Sequence, residues 1–193
     1  MNLLPEDHDP HIQALIGTMV RPGDVFYDIG AHTGMMTKVA LDHGAALVVA
    51  IEPQHDLAQG LKDRFTNAPV RVVDGAVWDT YGWGEITFPH DTEAGQAEVY
   101  GRDGGTVPLI PLDILTLFFG YPNVMKVDIQ GSEGRMLKGA SRSLSQCRAI
   151  IVELYDPLLI KHESSQAECE KLLLSYGFSF VGSYSNDYLW VKV

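Results

Sequence analysis

The chain has 193 residues, of which 14 are Lys or Arg and 25 are Asp or Glu, so its formal net charge is −11 with histidine neutral. This length suits a single domain, residues 1–193, built around one hydrophobic core. The acidic balance argues against a nucleic-acid partner and against a polybasic membrane surface, because both depend on Lys and Arg side chains.

Membrane insertion and secretion are not expected from this sequence. Its longest strongly apolar run covers residues 45–51, whereas a membrane-spanning helix needs about 20 residues. The first ten residues have no basic region followed by an apolar stretch, so no signal peptide is predicted. Cys147 and Cys169 form no CxxC pattern, which favours reduced packing residues. These features predict a cytoplasmic protein.

Strands and helices alternate along the first half of the chain. A helix is predicted within residues 1–22, since its apolar residues recur on one helical face, with Asp9 as a cap. From residue 25 onward, apolar strands at 25–29, 46–51 and 70–73 are separated by helices at 33–43 and 56–65. This alternation is typical of a parallel sheet covered by helices on both faces.

The second half interrupts this pattern and then resumes it. A strand at 84–88 precedes a polar loop over 90–106, which we expect on the acceptor side of a ligand site. The remaining predicted elements are a helix at 112–119, a strand at 124–129, a helix at 132–140 capped by Ser132, a strand at 149–154, a helix at 165–176 and strands at 178–181 and 188–193. The last two strands predict an antiparallel hairpin that closes a mostly parallel, seven-stranded α/β sheet.

The segment VFYDIGAHTG, residues 25–34, joins a predicted strand to a helix. Gly30 allows a ligand to approach the backbone, and the helix start offers N–H groups to an anion. Asp28 adds a negative charge suited to an ammonium group, so the two together match an amino-acid zwitterion such as the methionine part of S-adenosylmethionine. A tight turn without a ligand is the alternative. A dinucleotide site is disfavoured, because His32 stands where G-x-G-x-x-G has its middle glycine.

Acidic residues also end the next two strands. Glu52, followed by Pro53, lies 22 residues after Gly30 at the tip of the second strand, where a carboxylate grips a ribose diol in such folds. A solvated loop acid is the alternative. Asp74, Gly75 and Ala76 follow the third strand, where an adenine would lie, although Asp-Gly is also ordinary turn chemistry.

The segment VMKVDIQGSEGRMLKGA, residues 124–140, places polar residues in an otherwise apolar strand. Lys126, Asp128 and Gln130 alternate, so they share one face. A buried Lys and Asp are costly unless they are paired or functional. The alternatives are that Lys126 forms an internal ion pair holding Asp128 or Glu133, and that Glu133 is an N-terminal helix charge.

Three motifs in this order resemble the FkbM-type methyltransferase family: DIGAHTG, AIEP, and KVDIQGSEGRMLKGA followed by AIIVEL. The resemblance covers about residues 21–155, and His32 replaces the commoner Asn. It implies a Rossmann-like class I methyltransferase fold and S-adenosylmethionine as the cofactor. It also implies methylation of a hydroxyl on a sugar, a glycan or another natural product.

The resemblance further implies roles for individual residues. The methionine end of the cofactor would be lined by Asp28, Gly30, Ala31, His32, Thr33, Gly34 and Thr37. Glu52 and Pro53 would hold the ribose, and Asp74, Gly75 and Ala76 would border the adenine. The resemblance places Lys126, Asp128 and Glu133 at the acceptor end. The mechanistic hypothesis is that Asp128 is the general base, Lys126 keeps it ionised and Glu133 helps to anchor the acceptor. Four further residues are predicted to contact the acceptor: Arg102, Gln130, Glu153 and Tyr155.

A metal and other functions remain as alternatives. If the strands ending in Asp128 and Glu153 are neighbours, the two carboxylates could hold Mg²⁺, although the resemblance implies no metal. The histidines form no zinc pattern. The alternative functions are a non-catalytic domain that binds S-adenosylmethionine, N-methylation, and a nucleotide-dependent dehydrogenase. The intact acids at positions 28, 52, 128 and 133 favour an enzyme.

Overall fold

The computed structural model describes residues 10–88 and 97–192. Its strands in chain order are β1 (Val25–Ile29), β2 (Leu47–Glu52), β3 (Val70–Asp74), β4 (Ala76–Trp78), β5 (Gly82–Thr87), β6 (Glu98–Gly101), β7 (Val107–Pro111), β8 (Val124–Val127), β9 (Ala149–Glu153), β10 (Ser179–Tyr184) and β11 (Asp187–Val191). Its helices are α1 (Pro10–Met19), α2 (Met35–Asp42), α3 (His55–Arg64), α4 (Leu112–Phe119), α5 (Glu133–Lys138), α6 (Ser141–Gln146), α7 (Asp156–Lys161) and α8 (Gln166–Ser175).

Seven strands form one sheet in the order β3-β2-β1-β8-β9-β11-β10. The first five strands in this order, β3, β2, β1, β8 and β9, pair in parallel. The strand β11 is antiparallel to both β9 and β10. The predicted seven-stranded, mostly parallel sheet with a terminal antiparallel hairpin is therefore confirmed. The strand order reverses between β1 and β8. Open α/β sheets bind ligands beside such a reversal, at the carboxyl ends of the strands.

Buried apolar side chains cover both faces of this sheet, because neighbouring residues of a strand point to opposite sides. Phe26 packs with side chains of α1, α2 and α3, whereas Tyr27 belongs to the core formed with α4 to α8. Cys147 and Cys169 are free, buried thiols within these layers, as predicted. No helix within residues 10–88 and 97–192 is long and apolar enough to cross a membrane.

A second sheet, in the order β4-β7-β5-β6, was not predicted. The expected loop at 90–106 contains β6, and the unassigned segment before α4 is β7; residues 90–96 of that loop lie outside the described part. Trp78, Val99 and Leu109 bury one face of this small sheet. Its strands lack a clear sequence signal because β4 has only three residues and β7 contains Pro108 and Pro111, which are rare within sheets.

The predicted helix at 132–140 is shorter in the structure and is followed by a separate helix, α6. The residue before α6 is Ala140, which has no side chain able to cap it. Asp113 of α4, which is distant in the sequence, caps the start of α6 instead. Its carboxylate accepts hydrogen bonds from the backbone N–H groups of Arg142 and Ser143, at 2.9 and 2.8 Å, and from the hydroxyls of Ser141 and Ser143. The helix α7 was also not predicted.

We expect Asp113→Ala to lower the free energy of unfolding by about 1–3 kcal/mol, because it leaves the N–H groups of α6 without acceptors. Partial burial raises the pKa of Asp113, but the hydrogen bonds outweigh this effect and hold the pKa below its usual value. The stabilisation is therefore present at neutral pH and lost as the pH falls through the folded-state pKa. Urea unfolding at pH 7 and pH 3 measures both effects. The exposed control Asp103→Ala should change stability by less than about 0.5 kcal/mol, and an equal loss in both variants would contradict the cap.

Candidate active site

A cavity of about 510 Å³ opens at the carboxyl ends of β1, β2 and β8, beside the reversal of strand order. This volume lies within the range of about 300–1,000 Å³ found for small-molecule sites. Two groups of residues form its wall. The β1–β3 half is lined by Gly30, Ala31, His32, Thr33, Glu52, Pro53, Gly75 and Ala76, and the β8–β11 half by Lys126, Asp128, Gln130, Glu153 and Asp187.

The loop after β1 is held tightly between its two neighbouring strands. The N–H groups of Gly30 and Ala31 both donate to the carbonyl of Ile51, at 3.0 Å. Gly30 has φ +81°, and a Cβ atom there would lie 1.9 Å from the carbonyl oxygen of Asp128. Glycine is therefore required both by the backbone conformation and by contact with the loop after β8.

Three residues predicted to contact the cofactor lie behind this loop instead of lining the cavity. Asp28 is fully buried, and the Thr37 hydroxyl donates to its Oδ2 at 2.6 Å. Burial raises the pKa of Asp28, and its Oδ1 has no hydrogen-bond partner among the described residues. At Gly34 an added Cβ would lie 2.6 Å from Leu61 and 2.7 Å from Phe65. Thr37 and Gly34 therefore support the loop and its packing on α3.

Glu52 ends β2 with its side chain almost completely buried in the cavity wall. Its Oε2 accepts the N–H of His32 at 2.8 Å, and its Oε1 accepts the N–H of Gln54 at 2.9 Å. Burial raises the pKa of Glu52, and these two N–H groups and Lys126 oppose the shift. Each carboxylate oxygen can accept a second hydrogen bond. The carboxylate can therefore accept further hydrogen bonds from a ligand in the cavity.

The end of β3 contributes backbone rather than an acid. Gly75 and Ala76 line the cavity, and the following Val77 and Trp78 continue its apolar wall. Asp74 is directed elsewhere: its Oδ2 lies 2.7 Å from His55 Nδ1 and 3.8 Å from Lys62 Nζ. Of the three residues predicted to border the adenine, Gly75 and Ala76 therefore line the cavity, whereas Asp74 does not and joins α3 to β3.

Polar residues at and after the ends of β8 and β9 meet in the other half of the cavity. Lys126 Nζ lies 3.2 Å from Asp128 Oδ2 and 3.3 Å from the carbonyl oxygen of Gly30. The Gln130 amide donates to Asp128 Oδ1 at 2.8 Å and to Glu153 Oε2 at 3.2 Å. The Lys126 side chain is only 10% exposed, whereas that of Asp128 is 36% exposed and so remains accessible from the cavity. The expected proximity of Asp128 and Glu153 is thus observed.

The two carboxyl groups differ in protonation. Burial raises the pKa of Asp128, but the Lys126 ammonium and the hydrogen bonds from Gln130 and Glu153 outweigh it and hold this pKa below its usual value. Burial and the negative charge of Asp128 raise the pKa of Glu153 to about 9. At neutral pH Asp128 is therefore ionised and Glu153 protonated, a division typical of acid–base sites.

Asp187 is a cavity residue that the sequence analysis missed. It begins β11, and its backbone pairs with that of Glu153 in the antiparallel register. Its negative charge raises the pKa of both Lys126 and Glu153. The local sequence shows only an acid after a turn. Its position beside Glu153 depends on the pairing of β11 with β9, which no local motif reveals.

Glu133 does not reach the cavity, and its predicted contact with the acceptor is corrected. Its side chain is buried, and its Oε1 accepts the N–H of Ile129 at 3.0 Å. Burial raises its pKa to about 7. The Ser132 side chain forms no cap on α5; its Oγ lies 3.5 Å from the carbonyl oxygen of Val99 and from His162 Nδ1. Glu133 therefore holds the loop that presents Asp128.

Two further predicted acceptor contacts lie outside the described cavity wall. Tyr155 is exposed and precedes α7. Arg102 follows β6 and forms an exposed ion pair with Glu85 of β5. Arg102 and Tyr155 therefore do not line the cavity, which corrects their predicted contact with the acceptor, whereas Gln130 and Glu153 do line it. Among residues 10–88 and 97–192, no group of three or more His, Cys, Asp or Glu is arranged to hold a metal.

The raised pKa of Glu153 predicts a pH-dependent stability. The pKa of the Glu153 carboxyl is about 9 in the folded protein and about 4.3 in an unfolded chain. The protonated carboxyl therefore contributes its full stability below about pH 4.3, and this contribution is lost as the pH rises through about 9. We therefore expect Glu153→Gln to gain thermal stability relative to the wild type between pH 5 and pH 9. Melting curves across this range measure it, with Glu170→Gln on α8 as the control. Parallel curves for wild type and Glu153→Gln would contradict the protonated carboxyl.

Comparisons with known proteins agree with the motifs. Residues 28–180 match the family model of the methyltransferase FkbM domain. The chain is 30% identical over 175 residues to the hexuronic acid methyltransferase AglP of Haloferax volcanii, covering 85% of this chain and 72% of that protein.

Solved structures share the fold. A methyltransferase FkbM from Methylobacillus flagellatus KT superposes with a TM-score of 0.60 at 16% identity, over 93% of this chain and 50% of that one, so the present chain spans half its length. The magnesium protoporphyrin IX methyltransferase ChlM of Synechocystis PCC 6803, solved with bound S-adenosylmethionine, gives 0.55 at 14% identity, over 94% and 76% of the two chains. From its family match, its relative and its fold, this chain belongs to the FkbM family of methyltransferase enzymes, with a Rossmann-like fold.

Proposed function

We propose that this chain transfers a methyl group from S-adenosylmethionine to a hydroxyl group of a sugar or glycan. The observation that carries the proposal is a cavity whose wall contains both Glu52 and the ionised, accessible Asp128. The Glu52 carboxylate can accept hydrogen bonds from a ribose diol, and the Asp128 carboxylate can accept the proton of an acceptor hydroxyl. Family membership supports methyl transfer, and the name of the Haloferax volcanii relative supports a sugar acceptor.

The residues of the β1–β3 half fit the proposed cofactor. Glu52 retains hydrogen-bonding capacity for two hydroxyls, and the backbone of Gly75 and Ala76 lies where the adenine would be bordered. The loop of Gly30 to Thr33, whose first two N–H groups are held on β2, lines the cavity where the methionine part would bind. When bound, S-adenosylmethionine supplies a methyl group on a positively charged sulfur, and transfer breaks that carbon–sulfur bond and leaves neutral S-adenosylhomocysteine.

Asp128 acts as the general base in this proposal. It accepts the proton of the acceptor hydroxyl while the oxygen forms its bond to the methyl carbon, and it later releases that proton to solvent. Lys126 keeps Asp128 ionised, and the Gln130 amide fixes its orientation. Protonated Glu153 also donates to Asp128. Holding the hydroxyl in line with the methyl group contributes further to the rate.

Methyl transfer to a panel of hexoses and their methyl glycosides, followed by product NMR, tests the function. We expect formation of S-adenosylhomocysteine with an O-methyl ether as the product. The matched control is the deoxy sugar that lacks the methylated hydroxyl, which should give no product. An N-methyl product, or cofactor binding without turnover on any acceptor, would overturn the O-methyltransferase assignment.

A further inference from the structure

Carboxyl side chains outnumber basic ones in the described wall of the cavity. Its described lining includes four carboxyl side chains, those of Glu52, Asp128, Glu153 and Asp187, and Lys126 is its single Lys or Arg. The segments outside the described residues that precede α1 and lie between β5 and β6, residues 1–9 and 89–96, contain no Lys or Arg in the sequence. Among the described lining, Lys126 is therefore the only Lys or Arg side chain that could pair with a negatively charged acceptor.

Lys126 is already committed to other groups. Its ammonium contacts the carboxylate of Asp128 at 3.2 Å and the carbonyl of Gly30 at 3.3 Å, and its side chain is 10% exposed. The buried Asp28 is a further negative charge that acts on it. An incoming carboxylate would have to displace Asp128 from this ion pair, and in the proposed mechanism Asp128 must keep it.

Asp187 adds a negative charge on the acceptor side of this ion pair. It lies across from Glu153 in the β9–β11 register and lines the same cavity. A sugar whose hydroxyl approaches Asp128 has every ring substituent close by, because a pyranose ring is small. A carboxylate on that ring would thus lie in the same partly desolvated cavity as Asp128 and Asp187, where like charges repel strongly.

We propose that the acceptor is a sugar without a negative charge, either neutral or bearing an amine, and that Asp187 is the residue that excludes acidic sugars. This inference rests on the proposed function and narrows its substrate class. The acceptor proposed for this chain therefore differs from the hexuronic acid in the name of its Haloferax volcanii relative. An amine-bearing sugar gains attraction from the same carboxylates that repel a uronate.

Matched acceptors test the inference. Methyl glycosides of a hexose, the corresponding 2-amino sugar and the corresponding hexuronate are compared in the gluco, galacto and manno configurations, with kcat/KM measured by formation of S-adenosylhomocysteine. For each configuration that is methylated, we expect kcat/KM for the hexuronate to be at least about tenfold lower than kcat/KM for the neutral sugar at low salt. This gap should narrow as salt is added.

Two variants identify the residue responsible. Asp187→Asn removes one charge and should reduce the discrimination against the hexuronate about threefold or more. Glu153→Gln is the control, because it replaces a protonated carboxyl with a neutral group of similar shape, so the ratio between the two acceptors should stay the same even if turnover changes. Equal ratios in wild type and Asp187→Asn would overturn the role of Asp187, and preference for the hexuronate would overturn the acceptor class.

Two further measurements distinguish failure of the proposed methyltransferase function from failure of the proposed charge preference. Calorimetry with S-adenosylmethionine shows whether the cofactor site works, independently of any acceptor. If the cofactor binds and none of the nine sugars is methylated, the sugar acceptor itself is wrong and this inference falls with it. If a hexuronate is methylated best, the methyltransferase function stands and only the inference on charge is wrong.

Discussion

Asp128→Asn should reduce kcat by about 10²–10⁴-fold, the usual contribution of a general base. Asparagine has nearly the same shape and retains an oxygen for the Gln130 amide or the Lys126 ammonium, so the wall of the cavity should be preserved. It cannot accept the hydroxyl proton. The measurement is single-turnover methyl transfer, with the affinity for S-adenosylhomocysteine measured on the same protein by calorimetry.

The pH profile separates a base from a structural acid. The lowered pKa of Asp128 keeps it ionised down to acidic pH, so the wild-type rate should not fall between pH 8 and pH 5 through this group. In Asp128→Asn the residual rate should rise with hydroxide concentration, because the acceptor must then lose its proton to solvent. Near-normal turnover in a folded variant that binds the cofactor would show that Asp128 is not the base.

Glu52→Ala should weaken S-adenosylmethionine binding by about 100-fold or more, because hydrogen bonds to a charged group each contribute about 1.5–3 kcal/mol. The same substitution removes the acceptors for the N–H groups of His32 and Gln54. Thermal melting of the variant therefore has to accompany calorimetry. Glu52→Gln, which keeps the size of the side chain, should bind the cofactor more tightly than Glu52→Ala.

A deoxyribose analogue of S-adenosylhomocysteine shows whether the lost affinity comes from the ribose. The analogue lacking the 2′-hydroxyl should bind wild type more weakly than the natural compound does. In Glu52→Ala the two compounds should bind almost equally, since the carboxylate that distinguishes them is gone. If the variant still discriminates between them by the wild-type factor, Glu52 does not contact the ribose.

Sequence motifs located the centre of the site because each lies at the end of a parallel strand. Gly30 and Asp128 follow β1 and β8, Glu52 ends β2, and parallel strands bring their carboxyl ends to one edge of the sheet. Periodicity within one strand also placed Lys126 beside Asp128. Such relations depend only on strand geometry, which a local pattern encodes.

The errors involve contacts between distant segments. The pairing of β4 with β7 joins residues separated by more than thirty positions, and Asp187 reaches the cavity only through the β9–β11 register. Glu133 carries the same motif signal as Asp128, yet it turns inward to the N–H of Ile129. The direction of a side chain at a helix start is decided by packing and hydrogen bonds, which a motif does not specify.

The contact between Gly30 and the backbone of Asp128 makes two loops a single unit for protein engineering. A Cβ at position 30 would lie 1.9 Å from the Asp128 carbonyl, and the N–H of Asp128 donates to Ile29. Grafting the loop after β8 from another methyltransferase therefore requires grafting the loop after β1 with it. Residues of β9 and β11 are free of this constraint, so libraries that aim at new acceptors should diversify positions 153 and 187 first.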